Sequence, residues 1–556
     1  MDLSDIMPAL NAVQLEVIRN ALVCVAEEMS VTIWRTSRSP VVREILDYSC
    51  AVFDANGDST AQAARQPVHL NSMASGLRSI LDGPFPLDSW EQGDLIITND
   101  PYAGGQHLPD ILAFRPVFMG ATRIGFVGAL VHHLDVGGGA PGSYDANATE
   151  IHQEGFRIPP MKLDKSGVRN REVIELLLRN SREPVLVGGD FASQLAALKI
   201  GEASLGAIGQ RYGAATLAEA CALIQGQSEA AMRAIIRGIP DGDYEFEDFV
   251  DDDGIDLGRP IRIHVALTIR KDTVSFDFSG SSPQVKGPVN CTFNMTDSAV
   301  VCGTLMAVGS DVPANAGCYR PIAIHAPEGL CVNARSPAPV ANRMAVGHRV
   351  VNAVMGAFAQ ALPARIPASY YGVSYVYAFN AVHADGARQV YFDLECGGWG
   401  GHPDSDGANA FCCGFHNNSN APIEMIENGY PVTFVRYALV PNSGGAGIHR
   451  GGLGLIREFR IDAPTGTISA NLDRFTHPPY GLQGGAPGAG GQLSIHRAAS
   501  GKTEILPSKI SGIEVAAGDV FRLQTSGGGG WGDPARRDPQ AHATDLRLGY
   551  VTNRAE

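Results

Sequence analysis

None of the ten cysteines in this 556-residue chain forms a C-x-x-C pair, so a zinc ribbon is excluded and reduced thiols suit the scattered spacing better than a disulfide framework. Uninterrupted apolar runs of the ~18 residues that a membrane span needs are absent as well. The first residues carry acids where a secretory leader carries bases, so a cytoplasmic protein is expected. Basic charge is sparse: 43 Lys and Arg against 58 Asp and Glu give a net charge of −15, and no basic run exceeds Arg536–Arg537. Nucleic acid is therefore an improbable partner. A G-x-S-x-G elbow and an H-E-x-x-H helix are missing, which removes the commonest serine-hydrolase and zinc-protease readings. "HRAASGKT" ends like a phosphate loop but has His496 where that loop needs its first glycine.

What is present suits a large folded protein with many turns: 44% apolar and 18% charged residues, 65 glycines and 34 prolines without a period. Such a length predicts two or more domains. From Leu10 to Arg35 the residues Val13, Val17, Leu22, Val25, Met29 and Ile33 recur at helical steps, predicting an amphipathic helix on the first sheet. "YSCAVFDANGD", "DLIITNDPYAGG" and "RIGFVGALVHH" read as core strands bounded by turns. Residues 171–237 read as helices with glycine stops, and alternating segments such as "IRIHVALTI" begin beyond them. The expectation is an α+β fold in several layers with mixed sheets, this helical segment, and a glycine-rich, β-dominated C-terminal half. The division expected is 1–240, carrying the site, and 241–556, with a helical insertion around "MAVGHRVVNAVMGAFAQAL". Cys412–Cys413 are read as small buried hydrophobes. "SGGGGWGDP" is either an anion cradle or a set of close backbone contacts, the latter favoured.

One constellation carries chemistry. In "NDPYAGGQHLPD" Asp110 follows His107 past a proline, and the strand beginning near Ile124 ends at His132, His133 and Asp135. Ligands converging from separate segments are what a metal requires. Strand side chains alternate between faces, so only one of His132 and His133 points inward. Two histidines and a carboxylate suit zinc, manganese or iron. Upstream, "REILDYSC" offers Arg43, Glu44 and Asp47, and "PVHLNSM" offers His69; Asp47 is the candidate fourth ligand. The competing reading is a set of hydrogen-bonded histidines that stabilise turns.

The blocks "REILDYSCAVFDANGD", "PVHLNSM", "NDPYAGGQHLPD", "HHLDVGGGAPGS", "EIHQEGFRIPP", "DFSGSSPQVKGPVN", "NAGCYRPI", "SGGAGIHRGGLG" and "SGGGGWGDP" together resemble, in order, the hydantoinase B/oxoprolinase family. That family includes N-methylhydantoinase B subunits, the second half of 5-oxoprolinase, caprolactamase and the large subunits of acetone and acetophenone carboxylases. The resemblance implies one subunit of an ATP-dependent enzyme, with ATP and its magnesium on a hydantoinase A-like partner of actin-like fold in a hetero-oligomer of A and B subunits. It further implies one divalent metal on His107, Asp110 and His132. ATP would activate a cyclic amide by phosphorylating its carbonyl oxygen, and a metal-activated water on this subunit would open the ring. Asp135, Glu154 and His133 are then candidates for moving protons or orienting water, and Arg157 and His69 for contacting substrate. Chain length favours hydrolysis of a hydantoin, 5-oxoproline or related lactam over the alternative of a ketone carboxylase large subunit. A non-catalytic scaffold that completes the partner's site is the other alternative.

Overall fold

The helix Ala12–Thr36 starts at Asn11, whose side chain accepts from the Gln14 amide while the Gln14 side chain returns to the Asn11 backbone. In the computed structural model, which describes residues 10–309, 312–412 and 414–552, its buried stripe is Leu15, Ile18, Leu22, Val25, Met29 and Ile33. Val13 and Val17, read from sequence as part of that stripe, are instead 73% and 46% exposed. A step of four from Val13 to Val17 matches the helical period, but both lie off the arc that faces the core.

The helix packs against the long helix Pro184–Tyr212 and against the first two strands of a seven-stranded sheet. That sheet contains β1 (Tyr48–Phe53), β2 (Ser59–Gln62), β3 (Leu95–Thr98), β4 (Asp110–Met119), β5 (Thr122–His132), β6 (Met161–Lys165) and β7 (Val168–Arg169). Its order is β2-β1-β5-β4-β3-β6-β7, antiparallel throughout. Ile111, Ala113, Val127, Ala129 and Val131 project from one face into the core made with the helices Ala12–Thr36, Pro184–Tyr212 and Ala214–Ile236. Leu112, Phe114, Phe126 and Leu130 project from the other face onto the helix Ser72–Leu81. With both faces covered, these strands are apolar at successive positions.

A second sheet, in the order β11-β10-β9-β8, contains β8 (Gly242–Val250), β9 (Ile261–Arg270), β10 (Thr273–Asp277) and β11 (Ile322–His325). It is mixed, because β10 and β11 run parallel. Strict alternation of buried and half-buried residues along β9 gives it one core face. Next come β12 (Tyr375–Val382), β13 (Arg388–Glu395), β14 (Val432–Leu439), β15 (Leu455–Ile461), β16 (Thr465–Asn471), β17 (Gln492–Arg497), β18 (Lys502–Leu506), β19 (Lys509–Ala516) and β20 (Val520–Gln524). They form a four-stranded sheet, β13-β12-β16-β19, and a five-stranded sheet, β14-β15-β20-β17-β18. The buried helices Phe293–Val308 and Met344–Ala361 complete this half. The architecture is thus α+β in several layers, with helices at 171–180, 184–212 and 214–236 as the periodicity predicts. Among the described residues no helix is long and apolar enough to cross a membrane.

The glycine run near the C-terminus does not cradle an anion. The amides of Gly527, Gly528, Gly529 and Gly530 donate to the carbonyls of Ala489, Gly452, Ser369 and Ala486. The carbonyls of Ser526, Gly528, Gly529 and Gly530 accept from Gly398, Gly445, Gly401 and Leu482. One extended segment thereby pairs with several others at backbone-to-backbone distance, and a Cβ added at Gly528 would lie 2.0 Å from the Trp399 carbonyl oxygen. No amide of the run is left for a ligand.

Candidate metal centre

The register of β4 on β5 sets Asp110 directly opposite His132. Opposed residues of an antiparallel pair share a face, so both lie on the face of Leu112 and Leu130, at the end of the sheet that meets the C-terminal half. His107 arrives from the preceding loop, which Asn99 braces by donating to the Leu108 and Phe156 carbonyls and accepting from the Ile158 amide. Gly104 makes that loop possible: it sits at φ +99°, and a Cβ there would lie 2.8 Å from the Gly76 Cα.

His107, Asp110 and His132 are all buried, and one ligand atom of each lies within 4.8 Å of the others. His107 Nδ1 is 2.8 Å from Asp110 Oδ2, yet the approach lacks the alignment of an N–H···O hydrogen bond. His132 Nδ1 is 3.2 Å from Asp110 Oδ1 and 3.8 Å from Asp47 Oδ2, and its Nε2 is buried with no hydrogen bond. The Tyr144 hydroxyl meets His107 Nε2 at 3.1 Å, and Arg343 Nη2 donates to Asp110 Oδ2 at 2.8 Å.

Burial, reinforced by the Arg343 charge, lowers the His107 pKa to about 3, so the ring is neutral at pH 7 with a lone pair to offer. Burial would raise the Asp110 carboxyl, but His107 and Arg343 outweigh it and hold the group well below the ordinary carboxylate value. A neutral imidazole nitrogen and an ionised carboxylate are the forms in which these side chains bind metal. The orphaned ring nitrogens and this N, N, O donor set fit a divalent cation.

The other sequence candidates are dispersed around the cluster. Asp47 precedes β1 beside His132, whose amide donates to its carbonyl. His69 accepts or donates at Nδ1 with Ser49 Oγ at 2.9 Å, and the charges of Asp110 and Asp47 oppose the lowering of its pKa by burial. A cavity of about 440 Å³ reaches Ser49 and His69, with Arg65, Leu70 and Ile224 also in its wall. His133 faces the opposite side of the sheet, its ring 5.9 Å from Phe191 of the helix Pro184–Tyr212. Asp135 accepts from the amides of Gly137, Gly142 and Arg182 and pairs with the Arg182 guanidinium. That saturates it as the anchor of the glycine loop and leaves little capacity to carry protons. Glu154 braces the chain ahead of Arg343 by accepting from Val340 and Ala341 through Oε1, and burial pushes its pKa up to about 8. Arg157 lies at the surface, 3.5 Å from Asp100. Of the cysteine pair, Cys412 is half-buried and accepts from the Asn418 amide; Cys413 lies outside the described residues.

Arg343 and Tyr144 escaped the sequence reading. Arg343 enters from a segment with no spacing signal, "PVANRMAVGH". Tyr144 follows the glycine loop in "GGGAPGSYDA", and only the fold turns it towards His107.

The hydantoinase B/oxoprolinase family model matches residues 11–534. The chain belongs to that family. It is 31% identical to the caprolactamase subunit beta of Pseudomonas jessenii over 98% of this chain and 95% of that one. The crystal structure of the ATP-dependent caprolactamase from the same organism superposes with a TM-score of 0.90 at 29% identity, covering 98% of this chain and 95% of its own. 5-Oxoprolinase 1 of Arabidopsis thaliana is 31% identical over 94% of this chain, which corresponds to 42% of that longer protein. Acetone carboxylase shares the fold, with a TM-score of 0.86 at 20% identity over 97% of this chain and 78% of its own.

Proposed function

We propose that this chain is the metal-dependent subunit of an ATP-dependent cyclic-amide hydrolase that opens a hydantoin, 5-oxoproline or related lactam ring. A hydantoinase A-like partner handles ATP in a hetero-oligomer. The observation that carries this reading is the buried convergence of His107, Asp110 and His132 in a chain whose relatives include an ATP-dependent caprolactamase. Two facts support the partner: the sequence has no phosphate loop, and the chain matches less than half of the single-chain 5-oxoprolinase.

An unstrained ring amide resists water because nitrogen donation stabilises its carbonyl, and phosphorylation of the carbonyl oxygen removes that obstacle. A divalent zinc, manganese or iron ion held by His107, Asp110 and His132, with Asp47 beside them, would supply Lewis acidity and lower the pKa of a water towards neutrality, to about 7 in favourable zinc sites. The chain's own groups do the rest. Tyr144 fixes the ring of His107 through its second nitrogen, which keeps the other aimed at the cluster. Ser49 orients His69 at the wall of the cavity, where the imidazole can hydrogen-bond the ring amide. Burial of the cluster excludes bulk water from the activated substrate.

The test is reconstitution with the partner and measurement of phosphate and ring-opened acid in one sample. His107→Ala is expected to lose the metal and the open-chain acid while some substrate-dependent ATP cleavage persists. Full metal occupancy in both His107→Ala and Asp110→Ala would remove the assigned centre. Carboxylated product from a ketone and bicarbonate would replace hydrolysis with the carboxylase reading.

A further inference from the structure

Buried arginines in this protein are saturated, with one exception. Arg349 donates through Nε to the Phe249 carbonyl, through Nη1 to the Gly372 carbonyl and through Nη2 to Asp473. Arg457 and Arg474 each leave only Nε without a hydrogen bond. Arg343, 3% exposed, uses Nη2 on Asp110 and leaves both Nε and Nη1 buried without one. Among the described residues no other arginine has two such nitrogens. A guanidinium that merely held the fold together would be expected to use these donors, because burying a charged N–H unpaired is costly.

The place of the unused donors is as informative as their number. Arg343 is in direct contact with the metal-centre carboxylate, and its charge acts on His107, His69, His416, Tyr144 and Glu154. The one carboxylate paired with it, Asp110, is also the anionic member of the ligand set. When Asp110 serves a bound cation, less of its charge is available to Arg343, and an anion is then the complement the site lacks. A planar guanidinium offers parallel N–H groups that match two oxygens of a phosphoryl, carboxylate or tetrahedral oxyanion, a geometry a lysine ammonium cannot copy.

We propose that the unused donors of Arg343 form an oxyanion subsite of the metal centre, which receives the oxygens that carry negative charge on the phosphorylated amide or on the carbon under attack. It extends the hydrolase reading above by naming the group that holds the substrate's charge. Arg343 is thereby a catalytic residue, touching the reacting oxygens, in addition to its contact with Asp110.

Two measurements test it. The first is calorimetric titration of the purified full chain with inorganic phosphate, and with acetate as the carboxylate counterpart. Arg343→Met should weaken phosphate binding by at least about tenfold and Arg343→Lys by less, both with the metal content of the wild type. Acetate bound as tightly as phosphate, and lost in the same variant, would assign the subsite to a carboxylate. The second is kcat of the complex with its partner: Arg343→Lys should lower it on the order of 10²-fold, and added guanidinium should restore part of the activity of Arg343→Ala. Unchanged phosphate affinity and kcat in Arg343→Lys, with tighter metal binding in Arg343→Met, would reduce Arg343 to a countercharge for Asp110 and overturn the proposal. Phosphate binding lost in Arg343→Met when the wild-type complex opens no ring would leave the subsite standing and sink the hydrolase reading. Intact ring opening in every variant, with phosphate affinity unmoved, would do the opposite.

Discussion

The metal centre and the glycine-rich lattice around Gly527–Gly530 are both buried and both polar, yet they treat hydrogen bonding in opposite ways. In the lattice each amide of the run meets a carbonyl, and the segments approach so closely that no side chain fits between them. In the centre, nitrogens of His107, His132 and Arg343 lack hydrogen bonds although water cannot reach them. Saturation makes a region rigid and inert. Incomplete saturation costs stability and is retained where a ligand completes the set.

The sharpest way to break this contrast is to exchange the consequences of damage. His132→Ala should abolish metal binding and lower turnover of the complex by at least about 10³-fold, with an unfolding free energy within about 2 kcal/mol of wild type. Metal analysis and denaturant titration check both halves; His133→Ala should keep the metal. Gly528→Ala should do the reverse, because its Cβ would meet the backbone of Trp399. A loss of about 3–4 kcal/mol in urea unfolding is expected, and where the variant still folds its metal content should be normal. An innocuous Gly528→Ala would disprove the lattice.

Asp135→Asn asks to which class the glycine loop belongs. As an anchor of three amides and Arg182, it should cost about 2–3 kcal/mol. The pH profile of turnover should stay unchanged; a displaced profile would return Asp135 to proton transfer. Glu154 gives a smaller, pH-dependent effect. Its folded pKa of about 8 lies above the ordinary 4.5, so the folded chain holds a proton that the unfolded chain releases. Its stabilising contribution is fully present below pH 4.5 and declines as pH rises through 8, at up to about 1.4 kcal/mol per pH unit. Glu154→Gln should flatten that decline in unfolding curves taken between pH 5 and 8. The smallest expected effect is on an exposed glycine outside both regions: Gly226, within the helix Ala214–Ile236, has open space at its Cβ position. Gly226→Ala should stabilise by about 0.5–1 kcal/mol.

What the sequence disclosed follows from how far each feature reaches along the chain. His107, Asp110 and His132 lie in one hairpin and the loop before it, so turn chemistry and strand alternation suffice to name them and to separate His132 from His133. The helices of residues 171–237 are equally local in origin. Arg343 reaches Asp110 across 233 positions, and no periodicity encodes such a contact. The glycine run was ambiguous for the same reason, since its carbonyl partners come from segments as distant as Ser369 and Ala489. Val13 and Val17 misled because an apolar residue at a helical step need not face the core.

The hairpin also orders events in time. β4 and β5 are joined by the two residues Gly120 and Ala121, and the whole ligand set lies between His107 and His132. Closing so short a loop costs little chain entropy, whereas bringing Arg343 to Asp110 must await docking of the second half. On a growing chain the cation-binding cluster is therefore assembled from early, local contacts and the guanidinium arrives among the last. A metal ion captured by the nascent hairpin would lock the Asp110–His132 register before the C-terminal layers close over it.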